Sequence, residues 1–323
     1  WVDPSSLRVS FKIQNTGANP LYLAAGPHCL IERVRIFCAG TLVEDLGPHY
    51  GRLREMFMNK LAPSNFNQNQ GVLNSMMREA GPNAVEASPI GPGYTATATM
   101  PIACGFLKTH KYLPVRYAPV QIEITFADAE SAVVLHRDQH SAGAQAVNGS
   151  RNYVLRQLTV HCAQARLDDA LESNFAQVLL SNRALTVPIK TVATQVQTIP
   201  DNSPNFQISL VRALSRMNAV FVSFIWQEGD AGAAAEAANP HYHPTAVFGN
   251  PSAIAPGAGD GNHPELTMEM QVAIGSKLTP ETLISSMGEF FDNLQQAIDT
   301  YDQSLRTIAI TPTHYKHNSF IAG

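Results

Sequence analysis

The chain has 323 residues, 45% hydrophobic and only 15% charged, with 21 glycines and 21 prolines; an average soluble protein is about 25% charged, so this one is rich in turns and lean in surface charge. The formal net charge is −4, and no cluster of Lys and Arg offers the counterion-release footprint of direct nucleic-acid binding. No stretch approaches the roughly 18 apolar residues of a membrane-spanning helix, and no stretch reads as a signal peptide.

A chain of this length exceeds most single cores, so two domains are expected. Cys29, Cys38, Cys104 and Cys162 show neither CxxC nor paired spacing and read as free thiols in a reducing compartment. The start at Trp1 rather than Met reads as a processed product or a fragment. The lean surface suits a protein covered by partners, and equally a monomer rich in Asn, Gln, Ser and Thr.

In chain order, Leu7, Val9, Phe11 and Ile13 alternate with Arg8, Ser10 and Lys12, the period of a half-buried strand. CLIERVRIFCAGTLVEDLG predicts a hairpin turning at Ala39-Gly40, where Gly supplies positive φ. HYGRLREMFMNKL predicts a short helix burying Tyr50, Leu53, Met56 and Phe57. Residues 62–94 are rich in Pro, Asn, Gly and Ser, the composition of a long functional or binding loop. Strands are then expected at TATATMPIA, APVQIEITFAD, AESAVVLH and RNYVLRQLTVHCAQA. Seven or eight strands without a βαβ rhythm suit a jelly roll or sandwich.

LDDALESNFAQVLLS, 167–181, has a helical period. Leu171, Phe175, Val178 and Leu179 share a face with Leu167, and Asp169 and Glu172 have capping-box spacing. A lone amphipathic helix between two β-rich halves reads as an interdomain connector with that face buried against a barrel. An ordinary surface helix of one large β domain is the alternative.

Beyond it, ALTVPIKTVATQVQTI, NFQISLVRAL, MNAVFVSFIW and LTMEMQVAIGSKL read as strands, and PETLISSMGEFFDNLQQAID as a helix. Pro280 lies near the start of that helix, and Leu283, Met287, Phe290, Phe291, Leu294 and Ile298 mark its face. TIAITP and NSFIAG are the last strand candidates. IFCAGTLVED before the Tyr50 helix echoes MQVAIGSKLTPE before the Phe290 helix, as a duplicated β domain would.

Few residues invite chemistry. His241 and His243 have the i, i+2 spacing of a cupin-type metal site. The Glu such a site needs three or four residues on is replaced by Ala246 and Val247, and Pro240 and Pro244 argue for loop. His263 and Glu265 would complete a site only through long-range folding. The sequence Gly275-Ser276-Lys277 lacks the upstream glycine of a phosphate loop and reads as a turn. Glu44-Asp45 and Asp168-Asp169 read as a hairpin end and a helix start rather than acid/base pairs. Asn148-Gly149-Ser150 matches the glycosylation triplet, but with no secretory signal it reads as coincidence. Trp226, Phe221 and Phe224 share one apolar run and read as core. No catalytic set and no cofactor is expected.

Taken together, WVDPSSLRVSFKI, the hairpin ending in GTLVED, LPVRYAPVQIEITF, the 167–181 helix and MEMQVAIGSKLTPE with its helix resemble the double jelly-roll major capsid proteins of eukaryotic DNA viruses and related elements. The polinton-like and adinto-like viruses are the nearer kin, and the nucleocytoplasmic large DNA viruses the more distant. The resemblance implies an all-β chain with short helices: two consecutive eight-stranded antiparallel jelly rolls, at 1–166 and 182–323, joined by the 167–181 connector. Members of the family continue past a stretch like NSFIAG, so either the last strands lie outside this chain or the second barrel closes differently.

The resemblance further implies a homotrimer with a pseudo-hexameric outline that tiles an icosahedral virion shell and is assembled in the host cytoplasm or nucleus. Its partners would be neighbouring capsomers and penton and minor capsid proteins, with an internal membrane beneath the shell in many relatives. Loops 62–94, 138–150, 228–244 and 249–264 would lie at the barrel ends. A bicupin-like metal-dependent enzyme and a carbohydrate-binding β-sandwich protein are the alternatives.

Overall fold

The computed structural model describes residues 1–23, 26–61, 89–109, 111–128, 133–134, 150–181, 183–199, 205–210, 216–225, 268–301, 310, 315 and 320–323. Mostly β-structure with a few short helices is what it shows. In the first half the strands are β1 (Val2–Asn15), β2 (Tyr22–Leu23), β3 (Ile31–Cys38), β4 (Thr41–Leu46), β5 (Thr95–Pro101), β6 (Val120–Phe126), β7 (Val133–Val134) and β8 (Tyr153–Gln164). They pair antiparallel in the orders β5-β1-β8, β4-β3-β6 and β2-β7.

The pairing is nested: first strand with last, second with second-last, third with third-last. A folded antiparallel hairpin of this kind, wrapped on itself, is a jelly roll, which protects most of its strand edges by packing sheet on sheet. The fourth nested pair is replaced: β4 stays on β3, and β5 joins the free edge of β1.

The expected alternation in β1 is present. Leu7, Val9, Phe11 and Ile13 are all buried, while Ser10 and Lys12 face the other way. Opposite Phe11, β8 carries a bulge between the pairs Ser10↔Thr159 and Lys12↔Arg156, and Gln157 takes it up with φ 53°. An extra residue in one strand sharpens the local twist. The β3–β4 hairpin turns where expected, at Ala39 (φ 50°) and Gly40 (φ 78°), the doubly left-handed geometry that matches strand twist. The Tyr50 segment forms α1 (Tyr50–Arg54) and continues as a π turn, Glu55–Lys60; Tyr50, Leu53, Met56 and Phe57 are buried as expected.

The helix α2 (Asp169–Leu180) exists, with two corrections. Its expected buried face is not buried: Leu171 is 45% exposed, and Phe175, Val178 and Leu179 are half-buried. Helical period fixes which side chains share a face, but not whether another element covers that face. The capping box is also not made. Asp168 is the N-cap without a side-chain bond, and Glu172 is drawn instead to Arg116.

In the second half, β9 (Val222–Ser223) pairs with β12 (Ile321–Ala322), and β10 (Met270–Ile274) with β11 (Lys277–Ile284). The expected helix starts later than its sequence suggests. Pro280 and Leu283 belong to β11, and α3 runs Met287–Tyr301. Its start is set by a capping box at Ser286 and Glu289: Glu289 Oε2 accepts the Ser285 and Ser286 N–H groups, and the Glu289 N–H is donated to Ser286 Oγ. Phe290, Leu294 and Ile298 are buried, with Phe290 edge-on to Phe320 at 5.6 Å.

The echo between halves has a structural counterpart. In each, a two-residue turn joins two strands (Cys38↔Thr41 and Ile274↔Lys277) and a helix follows. ALTVPIKTVATQVQTI, expected as a strand, instead lies outside any helix or sheet among the described residues, as does 205–210.

Candidate functional site at the joint between the halves

Glu44 sits near the end of β4 on the same face as Leu46, and both are buried. A buried carboxylate needs donors, and Glu44 finds them in the backbone. Gly105 N–H donates to Oε1 and Phe106 N–H to Oε2, each at 2.9 Å. These two residues open the 3-10 turn Phe106–Lys108, whose Leu107 N–H reaches Cys104 Sγ at 3.4 Å. Burial and the adjacent Glu44 carboxylate hold the Cys104 thiol well above its usual range, so it stays protonated.

The same carboxylate also reaches across the joint: Val192 N–H, in the 183–199 segment, donates to Oε1 at 3.4 Å. This segment is fastened at two further points, where Thr194 Oγ1 donates to the Gly47 carbonyl (3.4 Å) and Lys111 Nζ to the Thr186 carbonyl (3.0 Å). A Cβ built on Gly105 would lie 1.3 Å from the Lys190 carbonyl oxygen, so glycine is what lets the two backbones meet. Val187 and Val192 pack against the core, while Ile189 and Val196 are exposed. The segment is therefore a strap laid over the first barrel.

Two further contacts cross the joint. Phe57, in the π turn, meets Phe221 edge-on at 5.3 Å. Phe175 of α2 packs on Trp1 at 4.7 Å, beside the Arg116–Glu172 ion pair.

Beneath α1 lies a closed polar cluster. His28, in the 3-10 turn Pro27–Leu30, has Nε2 3.0 Å from Glu55 Oε2 and Nδ1 3.1 Å from Arg54 Nη1. Burial, then the Arg54 charge, lower the His28 pKa against the opposing pull of Glu55. Tyr50 belongs to the same corner; its hydroxyl oxygen accepts the Ala103 N–H at 2.8 Å.

The residues singled out by sequence are scattered. His241, His243, His263, Glu265, Trp226 and Asn148 lie outside the described residues, as do most of the loops assigned to barrel ends. Glu44 and Asp45 part ways: Asp45 makes a bidentate pair with Arg33 (2.8 and 2.6 Å), whereas Glu44 anchors the joint. Phe221 and Phe224 are half-buried in aromatic contacts. Ser150 is buried, and its N–H is donated to the Pro20 carbonyl at 2.8 Å. Gly275 turns the β10–β11 hairpin with φ 63°. None of the four cysteines is in a disulfide. Among the described residues no group of three or more His, Cys, Asp or Glu is placed to hold a metal ion, and no described helix is long and apolar enough to cross a membrane.

The sequence reading places Glu44 at a hairpin end without its anchoring role and does not find the His28 cluster. A signal existed for both: Glu44 has the inward parity of Leu46, and Arg54-Glu55 interrupt the apolar run Leu53, Met56, Phe57.

No family model matches the chain, and no curated protein matches it. Four solved chains match. One is described as the crystal structure of PBCV-1 VP54 fitted into a cryo-EM reconstruction of the virophage Sputnik. It is 15% identical with a TM-score of 0.32, and the match covers 53% of this chain and 37% of that one. The chain thus spans little more than a third of the length of that relative.

Proposed function

We propose that this chain is a structural subunit of an icosahedral viral capsid, acting by assembly rather than turnover. Its two consecutive jelly rolls, 1–166 and 182–323, are joined through 167–181, and three copies form a pseudo-hexagonal capsomer. The observation that carries the reading is the nested pairing β1–β8, β2–β7 and β3–β6, which supplies the barrel that the resemblance of the sequence blocks implies. Function does not follow from a fold alone. Here the fold, the block order and the low charge agree.

Two barrels per chain and three chains per capsomer give six barrels, so a threefold assembly presents nearly sixfold sides. Contacts within such a trimer bury roughly 2,000 Å² or more, while those between capsomers are smaller and reversible. Apolar side chains left open on β8, Leu158 at 50% and Val160 at 52% exposed, are suited to burial by a second copy. Neighbouring capsomers and penton and minor capsid proteins would be the further partners, in a virion shell.

Sedimentation analysis of the purified chain tests this. The predicted mass is three times 35.0 kDa. A stable monomer that carries stoichiometric iron, manganese or zinc would favour the bicupin-like reading through His241 and His243, and a glycan-binding monomer the carbohydrate-binding one.

A further inference from the structure

The His28 side chain is fully buried, with 0% exposure. Its two ring nitrogens have different neighbours, and their chemistry fixes the proton. A guanidinium can only donate, so the Arg54 Nη1 contact at 3.1 Å requires an unprotonated, accepting Nδ1. The single ring proton then sits on Nε2 and is donated to Glu55 Oε2 at 3.0 Å. Adding a proton at Nδ1 would set an N–H against an N–H and a second positive charge against Arg54, with no solvent to screen them.

Charged groups approach this turn from several elements. From α1 come Arg54 and Arg52, the latter lowered to about 10 by burial against the pull of Glu32. The π turn gives Glu55. From β3 comes Glu32, which accepts the His49 N–H at 3.0 Å and stands 3.5 Å from His49 Nδ1; β2 offers only Leu23 among its described side chains. His49 is itself lowered, by burial and then by Arg52, but its ring is 37% exposed and can take up a proton toward solvent.

The helix held by this cluster is the one that touches the joint. Phe57 carries the ring contact to Phe221 at 5.3 Å, and Tyr50 binds Ala103, two residues before Gly105 of the strap contact. Packing is close: a Cβ at Gly51 would already lie 3.2 Å from the His28 carbonyl oxygen.

We propose that His28 is an acid-sensitive latch on the joint between the halves. With Nδ1 unprotonated it fastens the Pro27–Leu30 turn to Arg54 and Glu55. Uptake of a solvent proton at Nδ1 releases the 50–60 helix, and with it the Phe57 contact.

The sign follows from the lowered pKa of the folded state. Below the ordinary histidine value of 6.5, the opened state binds a proton that the closed state refuses. The latch is therefore fully closed above that pH and weakens as pH falls, with an opening constant rising about tenfold per pH unit between the two pKa values.

The test is hydrogen exchange on the full chain between about pH 7.5 and pH 5.5, corrected for intrinsic exchange rates. Protection of 50–60 should hold down to the ordinary histidine value of 6.5 and then fall by about tenfold per pH unit, while the β1–β8 ladder keeps its protection. The variant His28→Gln supplies a non-titrating amide that can donate to Glu55 and accept from Arg54, and it should remove most of that fall. The proposal is overturned if 50–60 keeps its protection, if it opens in step with β1–β8, or if a folded His28→Gln protein retains the wild-type fall. Should the variant not fold, the wild-type exchange pattern decides alone.

Discussion

Gly105 and Lys190 meet backbone to backbone, and a single methyl group at Gly105 would occupy the Lys190 carbonyl oxygen, 1.3 Å from the ideal Cβ. Because the obstacle is main chain, no side-chain rotation relieves it. The Gly105→Ala chain must either lift the strap or shift the 3-10 turn away from Glu44. Cleavage within 183–199 under limited proteolysis is expected to accelerate in the variant, while cleavage within β1 does not. Equal rates for variant and wild type would show that the strap does not depend on this approach.

Glu44 satisfies the N–H groups of Gly105 and Phe106 at 2.9 Å. Glu44→Ala strands these buried donors, at about 1–3 kcal/mol for each. Chemical denaturation should show a loss of that order, with Glu44→Gln, which keeps one acceptor oxygen, losing less. An exposed carboxylate would show almost none.

At the start of α3, the Ser285 and Ser286 N–H groups hold the Glu289 carboxyl below its usual range. A depressed carboxylate contributes stability that is full above the unfolded pKa of about 4.3 and is lost as pH falls through the folded value. Glu289→Gln should therefore flatten the acid limb of the stability curve of the second half. Ser286→Ala, which removes the reciprocal cap, should cost about 1 kcal/mol. Circular dichroism melts at several pH values read both.

Phe290 is fully buried and rests edge-on against Phe320 at 5.6 Å, so Phe290→Ala should cost about 3–5 kcal/mol. Phe175 packs on the Trp1 ring at 4.7 Å and is half-buried. Phe175→Ala should cost the isolated subunit about 1 kcal/mol. Comparable losses in unfolding experiments would mean that α2 is covered as thoroughly as α3.

What the sequence made legible was local. The period of two in β1, the left-handed pair Ala39-Gly40 and the apolar spacing of Tyr50, Leu53, Met56 and Phe57 each reflect forces acting within a few residues. Errors arose where a distant partner decides. Pro280 resembles a helix start until β10 pairs with that stretch as β11. Glu172 has the spacing for a capping box, but Arg116, 56 positions away, takes it. Leu171 belongs to an apolar face that the described contacts leave uncovered. Glu44 and His28 were invisible as a pair of anchors because their partners, at 105, 106 and 192 and at 54 and 55, assemble only in the folded chain.

On the proposed function, three copies of this chain assemble their paired jelly rolls into one threefold particle. Class averages from electron microscopy of the purified protein test it most directly. A particle of threefold symmetry with six lobes in a pseudo-hexagonal outline is expected. Isolated two-lobed monomers, or an assembly without a threefold axis, would contradict it.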